Sequence, residues 1–450
     1  MIPALRKLSD IFLLLKTESI LSSYITIMIF SSNTHLKRIN FSFLLITFFT
    51  SLSISSCQKH YDPDEDNIPR FGSRTELTID SIYLYAKEIY LWNDALPSYN
   101  SFSPRNKYAY ITPEINALEK ELYDISQLKI NEKTKFPFEY TESNVPKYSY
   151  LETNFNYNFK TRAAASSKVE NDNITTAYID NVAYVAIHSF PQLQTIKSDL
   201  DDIFVEVAEQ QPSTIVIDLR YNRGGYIETV EYLANLIIPS RLNDKVMYSE
   251  SFNTTLSTGH AKILRHQPYV DNNGNYVQIN GRQATLADVD YSEKGNTYLF
   301  NKKGRLETIE NIYFITSRST ASASELLISL FKPYFKVKLV GQKTYGKPVG
   351  FFAVNIDQYS IYLSSFLLKN ADGWFDYFNG IVPNITVALP ISPNLGDPQE
   401  LGLKYVLDDL FEDDNKSSMS KRALKLKSKK YQINIEKDLE LSIENRLRLR

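Results

Sequence analysis

From residue 74 onward the chain shows two kinds of apolar spacing. Ile79, Ile82, Tyr83, Ala86, Ile89 and Tyr90 recur at three- and four-residue intervals, which places them on one face of a helix. Residues 74 to about 130 are therefore expected to be helical, the first helix ending near Leu91-Trp92, ahead of Pro97. Further along, short β-branched runs take over. Tyr184-Val185-Ala186-Ile187 reads as a strand, as does Thr214-Ile215-Val216-Ile217-Asp218-Leu219-Arg220, which ends in Tyr221-Asn222-Arg223-Gly224-Gly225. Helical spacing resumes at Glu228 through Val230, Leu233, Ala234 and Ile237. Ile312-Tyr313-Phe314-Ile315 and Val337 to Val340 are two more buried strands, separated by Leu326, Leu327, Leu330 and Phe331 at helical spacing. The unit is strand, tight turn, helix, strand, and Ser322 falls at the turn.

That turn lies in Ser319-Thr320-Ala321-Ser322-Ala323-Ser324-Glu325, and Lys347 follows Ser322 by 25 positions, beyond the next strand. A serine hydroxyl is a poor nucleophile until a neighbouring base takes its proton. A lysine can be that base only if its pKa falls well below about 10.4, and burial among apolar groups has that effect. Val337, Leu339, Val340, Val349, Phe351 and Phe352 supply such company for Lys347. At a helix start the free N–H groups favour developing negative charge, so the backbone N–H of Ala323 is a candidate oxyanion donor. Glu325 either compensates the helix dipole or hydrogen-bonds the site and orients Lys347. The Gly224-Gly225 corner lets backbone approach a ligand closely and aim N–H groups at it. It is otherwise a plain tight turn; phosphate binding is disfavoured, because no GxGxxG and no lysine follows in the P-loop manner. Either block, taken alone, also reads as an ordinary helix start or a surface lysine.

These blocks resemble the S41 peptidases, the tail-specific or C-terminal processing protease family. Asp218 to Gly225 is similar to the family's strand and glycine corner. Ser319 to Glu325 is similar to its nucleophile block, and Gly341-Gln342-Lys343-Thr344-Tyr345-Gly346-Lys347 to its lysine block. The resemblance implies a Ser322–Lys347 dyad assisted by Glu325, with an oxyanion hole from Gly225 (or Gly224) and Ala323. A variant with an assisting aspartate eleven residues after the serine is excluded, because Pro333 stands there. Asn379-Gly380-Ile381-Val382-Pro383-Asn384 is similar to a late Gly-Ile-x-Pro-Asp motif of the family. The implied fold is α/β, a ClpP/crotonase-like core of ββα units over 175–410, with no metal or cofactor. The helical stretch 74–134 resembles the small N-terminal domain of Bacteroidetes-type S41 proteins. Residues 135–174 are too few for a PDZ domain of roughly 80 to 90 residues, so that domain is expected to be absent or reduced. The polar insertion from about 240 to 308, with Asp271-Asn272-Asn273-Gly274, is expected to form a hairpin-bearing lid.

Histidine offers little competition for the role of base. His35 and His60 lie in the leader region, and His260 and His266 in the polar insertion; only His188 follows a core strand, where a structural or substrate-lining role is expected. The chain has 450 residues, 43% of them hydrophobic, with 50 basic and 52 acidic residues and a net charge of −2. It can bury a large core, and its charge exerts no global pull toward nucleic acid. Lys416 to Lys430 is locally basic, in keeping with a solvated charged tail over 411–450.

Cys57 is the only cysteine, so intrachain disulfides and zinc-like spacings are excluded. Lys37-Arg38, the apolar run Phe41 to Ile54 and Ser55-Ser56 precede it. That order resembles a bacterial lipoprotein signal. Residues 1–57 are expected to be leader, with Met28 as a conventional start, and 58–73 a tether. The expected location is the cell envelope, lipid-anchored at Cys57, at the outer membrane. The expected partners are protein or peptide substrates and the membrane, not nucleic acid. The competing function is a lipoprotein that captures peptides on the same scaffold without cleaving them.

Overall fold

The structure is a computed structural model and describes residues 68–153, 173–271, 274–392 and 394–411, the strand 426–432 and residues 446–450. Cys57, the leader and 58–67 of the tether lie outside these residues, as do 154–172, nearly half of the stretch that bears on a PDZ domain.

The chain enters through helix α1 (Arg74–Ile89). Ser73 and Glu76 begin it with a capping box: the Ser73 N–H donates to Glu76 Oε2 at 2.7 Å and the Glu76 N–H to Ser73 Oγ at 3.3 Å, so orphan amides at the helix start find acceptors. Short helical turns lead to α2 (Glu114–Ser126). Ile79, Ile82, Tyr83, Ala86 and Ile89 are buried together with Leu118, Leu122 and Ile125 of α2.

The core is a mixed α/β sheet. After β1 (Tyr150–Thr153) come β2 (Asn173–Ile179), β3 (Val182–Ala186), α3 (Leu193–Gln210), β4 (Thr214–Asp218), α4 (Ile227–Ile237) and β5 (Val246–Phe252). Then follow β6 (Thr297–Leu299), β7 (Asn311–Thr316), α5 (Ala323–Phe331) and β8 (Lys336–Gly341). The chain continues through β9 (Val349–Gly350), β10 (Ala353–Ile356), β11 (Tyr359–Tyr362), β12 (Phe366–Asn370), β13 (Ile385–Thr386), α6 (Leu401–Phe411) and β14 (Leu426–Gln432). The main sheet runs in the order β13-β8-β7-β4-β3-β2-β14. From β13 to β3 its neighbours are parallel, and β2 pairs antiparallel with both β3 and β14. β3, β4 and β7 are almost wholly buried, as their continuous apolar runs require of strands covered on both faces.

This order positions the site. β4, β7 and β8 are adjacent and parallel, so the loops leaving their C-terminal ends emerge side by side. Those loops carry Gly224-Gly225, Ser322 and Lys347.

Three particulars bear on the expectations. Among the described residues the helical segment and the core fall in one compact unit. Asn253 Nδ2 donates to Glu88 O at 3.0 Å and to Tyr90 O at 2.8 Å, and the Leu91 N–H to Ser364 O at 2.8 Å, so buried polar groups are satisfied across the junction. The insertion does carry a hairpin, at Gln278–Ile279 and Arg282–Gln283. Its contacts, however, run to α1 and, through β5, to β12. The stretch 411–450 is not all solvated tail, because Leu426–Gln432 forms an edge strand on β2.

Candidate active site

Ser322 stands at the N-terminus of α5 with φ 55° and ψ −117°. A non-glycine residue held there is strained, and a sharp strand-to-helix turn of this kind presents a serine hydroxyl outward. Ser322 keeps partial exposure, while Ala323, Ser324 and Glu325 behind it are buried. Hydroxyls stitch this turn to the glycine corner. Thr320 Oγ1 donates to Leu219 O at 2.8 Å, Ser324 Oγ to Asn222 O at 3.2 Å, and Ser317 Oγ to Arg220 O.

The corner comes within contact of the serine. A Cβ on Gly224 (φ 105°) would stand 3.0 Å from Ser322 Cβ and 2.9 Å from Ala321 O. A Cβ on Gly225 (φ 138°) would stand 2.0 Å from Phe190 O. The two amides differ in what they are free to do. The Gly224 N–H donates to Asn222 Oδ1 at 2.8 Å, whereas the Gly225 and Ala323 N–H groups have no hydrogen-bond acceptor among the described residues. Of the three oxyanion candidates, Gly225 and Ala323 therefore retain a donor and Gly224 does not.

Glu325 is the hub that joins the serine turn to the lysine loop. It is fully buried. Its Oε2 accepts from the N–H of Ser322 at 3.0 Å and of Lys347 at 2.8 Å. Its Oε1 accepts from the Gly346 N–H at 2.7 Å and from Thr344 Oγ1 at 2.5 Å. Burial pushes its carboxyl up, and these four donors oppose that rise. Of the two roles open to Glu325 in the sequence, the geometry supports orientation. It hydrogen-bonds the backbone of Lys347, and its charge also pulls on the ammonium. The late motif supports the same loop, with the Ile381 N–H donating to Thr344 Oγ1 at 2.7 Å.

Lys347 is partly buried, and its Nζ lies 4.5 Å from the centroid of the Phe351 ring. Burial lowers its ammonium to about 8, against the opposing pull of Glu139 and Glu325. Among the described residues no hydrogen bond joins Lys347 Nζ to Ser322 Oγ. Such contacts often tighten only when substrate is bound.

Residues 181–387 match the model of Peptidase family S41. This segment belongs to that family. Among solved structures, the S41 segment and its surroundings resemble an assigned S41 protease from Bacteroides fragilis at 20% identity and TM-score 0.39, over 52% of this chain and 55% of that one. They also resemble a photosystem II D1 C-terminal processing protease at 12% identity and TM-score 0.41, over 72% and 95% of the two chains. A lipoprotein from Streptococcus agalactiae is similar at 15% identity and TM-score 0.44, over 77% and 99%. No curated protein matches the chain.

Two residues outside the S41 segment approach the lysine loop and carry no signal in the sequence pattern. Lys147 Nζ donates to Phe378 O at 2.7 Å and to Tyr345 O at 3.2 Å, and burial lowers its ammonium to about 8. Glu139 is fully buried, which is rare for a glutamate without a cation partner. The only hint is its place in Phe136-Pro137-Phe138-Glu139-Tyr140, an acid enclosed by aromatics. His188 packs edge-on against Tyr221, ring centroids 5.4 Å apart.

Proposed function

We propose that this chain is a serine endopeptidase that hydrolyses peptide bonds of envelope or extracellular proteins through an acyl-enzyme. In this reading neutral Lys347 takes the proton of Ser322 as its Oγ attacks the peptide carbonyl. The N–H groups of Gly225 and Ala323 receive the oxyanion. Lys347 then gives the proton to the leaving amine, and water releases the acyl group by the same route in reverse. Glu325 holds the serine and lysine loops in register. The observation that carries the reading is this single carboxylate, which takes the backbone N–H groups of both Ser322 and Lys347.

The test compares degradation of an unfolded protein by the chain from residue 58 with that by Ser322→Ala and Lys347→Ala. Each substitution is expected to lower kcat by roughly a thousandfold or more. Equal degradation by all three would overturn the dyad. A chain that binds peptides and cleaves none would favour the non-catalytic binding lipoprotein. Attachment to the envelope through a lipid on Cys57 is proposed alongside. Cys57→Ser is expected to abolish fatty-acid labelling and release the protein from membranes, and persistent labelling would sink the anchor.

A further inference from the structure

Glu139 is a buried carboxylate that the steps above do not use. Its Oε2 accepts from the backbone amides of Tyr148 at 3.1 Å and Ser149 at 2.7 Å. Its Oε1 accepts from the hydroxyls of Ser149 at 2.8 Å, Ser364 at 2.9 Å and Tyr90 at 3.2 Å. Five neutral donors hold it, and no ion pair to it is formed among the described residues. Its charge is therefore compensated by dipoles alone and still acts on the nearby cations.

The segment that Glu139 orders grips the lysine loop on both sides of Lys347. Before the lysine, Tyr148 Oη donates to Gly346 O at 2.5 Å and Lys147 Nζ to Tyr345 O at 3.2 Å. After it, Phe351 packs edge-on against Tyr150 at 5.4 Å and Tyr362 at 5.9 Å. Tyr150 and Tyr362 are register partners in the β1–β11 ladder. The Phe351 ring is the one that Lys347 Nζ faces.

Resting on the dyad reading, we propose that Glu139 is a positioning residue for Lys347: it fixes the Tyr148–Tyr150 wall against the lysine loop, and its negative charge acts with that of Glu325 on the lysine amine. The titratable groups acting on Lys347 are Glu139 and Glu325. Those around Glu139 are Tyr90, Tyr148, Tyr345, Lys147 and Lys347. Each carboxylate favours the ammonium form and so works against burial.

Glu139→Gln separates the charge from the shape. The amide oxygen can face the two backbone amides now at Oε2. The amide NH2 can donate to two of the three hydroxyls at Oε1, because hydroxyls both donate and accept, and Ser149 Oγ and Ser364 Oγ also stand within reach of each other at 3.4 Å. The variant is therefore expected to fold. In the full chain, the protonation of Lys347 is read from the pH dependence of its acetylation by acetic anhydride, followed by mass spectrometry. The acid limb of kcat/KM is measured in parallel. Both midpoints are expected to move down by on the order of one pH unit in Glu139→Gln. An unmoved acetylation midpoint would overturn the role of the charge. A shifted acetylation midpoint with an unmoved rate profile would support Glu139 acting on the lysine and sink Lys347 as the base, which keeps the two failures apart. Tyr148→Phe removes the hydroxyl's bonds to Gly346 O and Phe378 O, and is expected to lower kcat several-fold while leaving KM and the acetylation midpoint in place. Unchanged kcat there would overturn the wall.

Discussion

Two buried glutamates, Glu325 and Glu139, differ in how they should tolerate the same substitution. Both oxygens of Glu325 face backbone N–H groups, which only donate. A glutamine there must point its NH2 at one of them in either orientation, so Glu325→Gln is expected to cost about 1–3 kcal/mol and to lower kcat. Urea unfolding alongside rate measurement checks this, with Glu139→Gln as the better-tolerated control. Gly224 and Gly225 form a second contrast. Gly225→Ala drives a Cβ into the Phe190 carbonyl, whereas Gly224→Ala presses on Ser322 itself. The first is expected to lower Tm more, and the second to lower activity in a chain that still folds; both substitutions carry strain from positive φ. The pH profile follows from Lys347. In the proposed dyad its neutral form is the base, and burial lowers its ammonium to about 8. Below that value kcat/KM is expected to fall tenfold per pH unit, and a rate independent of pH from 6 to 9 would remove lysine from the role.

At the scale of elements, the site rests on three neighbouring parallel strands whose loops are tied by hydroxyls. Thr320 Oγ1 both donates to Leu219 O and accepts from the Ser317 N–H at 3.0 Å. Thr320→Val keeps the shape and removes both bonds. It is expected to cost about 1–3 kcal/mol, since the Ser317 N–H loses its acceptor, while Leu219 O keeps the Asn222 N–H at 2.9 Å. Activity should fall further than stability alone explains, because the turn that strains Ser322 loses its anchor. Calorimetry with kinetics on the folded variant checks this. The strands and helices of this unit were legible because each is a local pattern: β7, α5 and β8 fall where a short continuous apolar run gives way to period 3.6 and returns.

For the whole molecule, Arg220 shows what holds the S41 segment to its last helix. It is 2% exposed and pairs with Asp218 at 2.7 Å and Glu400 at 2.6 Å, while Tyr184 Oη donates to Asp218 at 2.7 Å. Arg220→Met is expected to cost about 3–5 kcal/mol, because two buried carboxylates lose their cation. Burial alone would raise Glu400, but pairing with Arg220 holds it below its ordinary 4.5. A depressed carboxyl contributes stability above its unfolded pKa and loses it as pH falls through the folded one. Unfolding of the S41 segment is therefore expected to ease below about pH 4.5, and Glu400→Gln should flatten that acid limb of a Tm profile.

By itself the sequence determined the order and chemistry of the three blocks, because small residues, apolar periods and spacing are local properties that survive without a fold. It left open which glycine keeps a free amide, since that depends on where the Asn222 side chain turns. It also could not show that Glu325 grips two loops, or that Glu139 orders a wall against the lysine loop. A buried carboxylate is defined by the donors around it, and those donors come from as near as 3 and as far as 225 residues along the chain. The edge strand 426–432 was missed for the same reason: a lysine-rich run becomes a strand only when a partner such as β2 offers its open side. Only the tertiary structure brings such partners together, so it alone decided how the lysine is held.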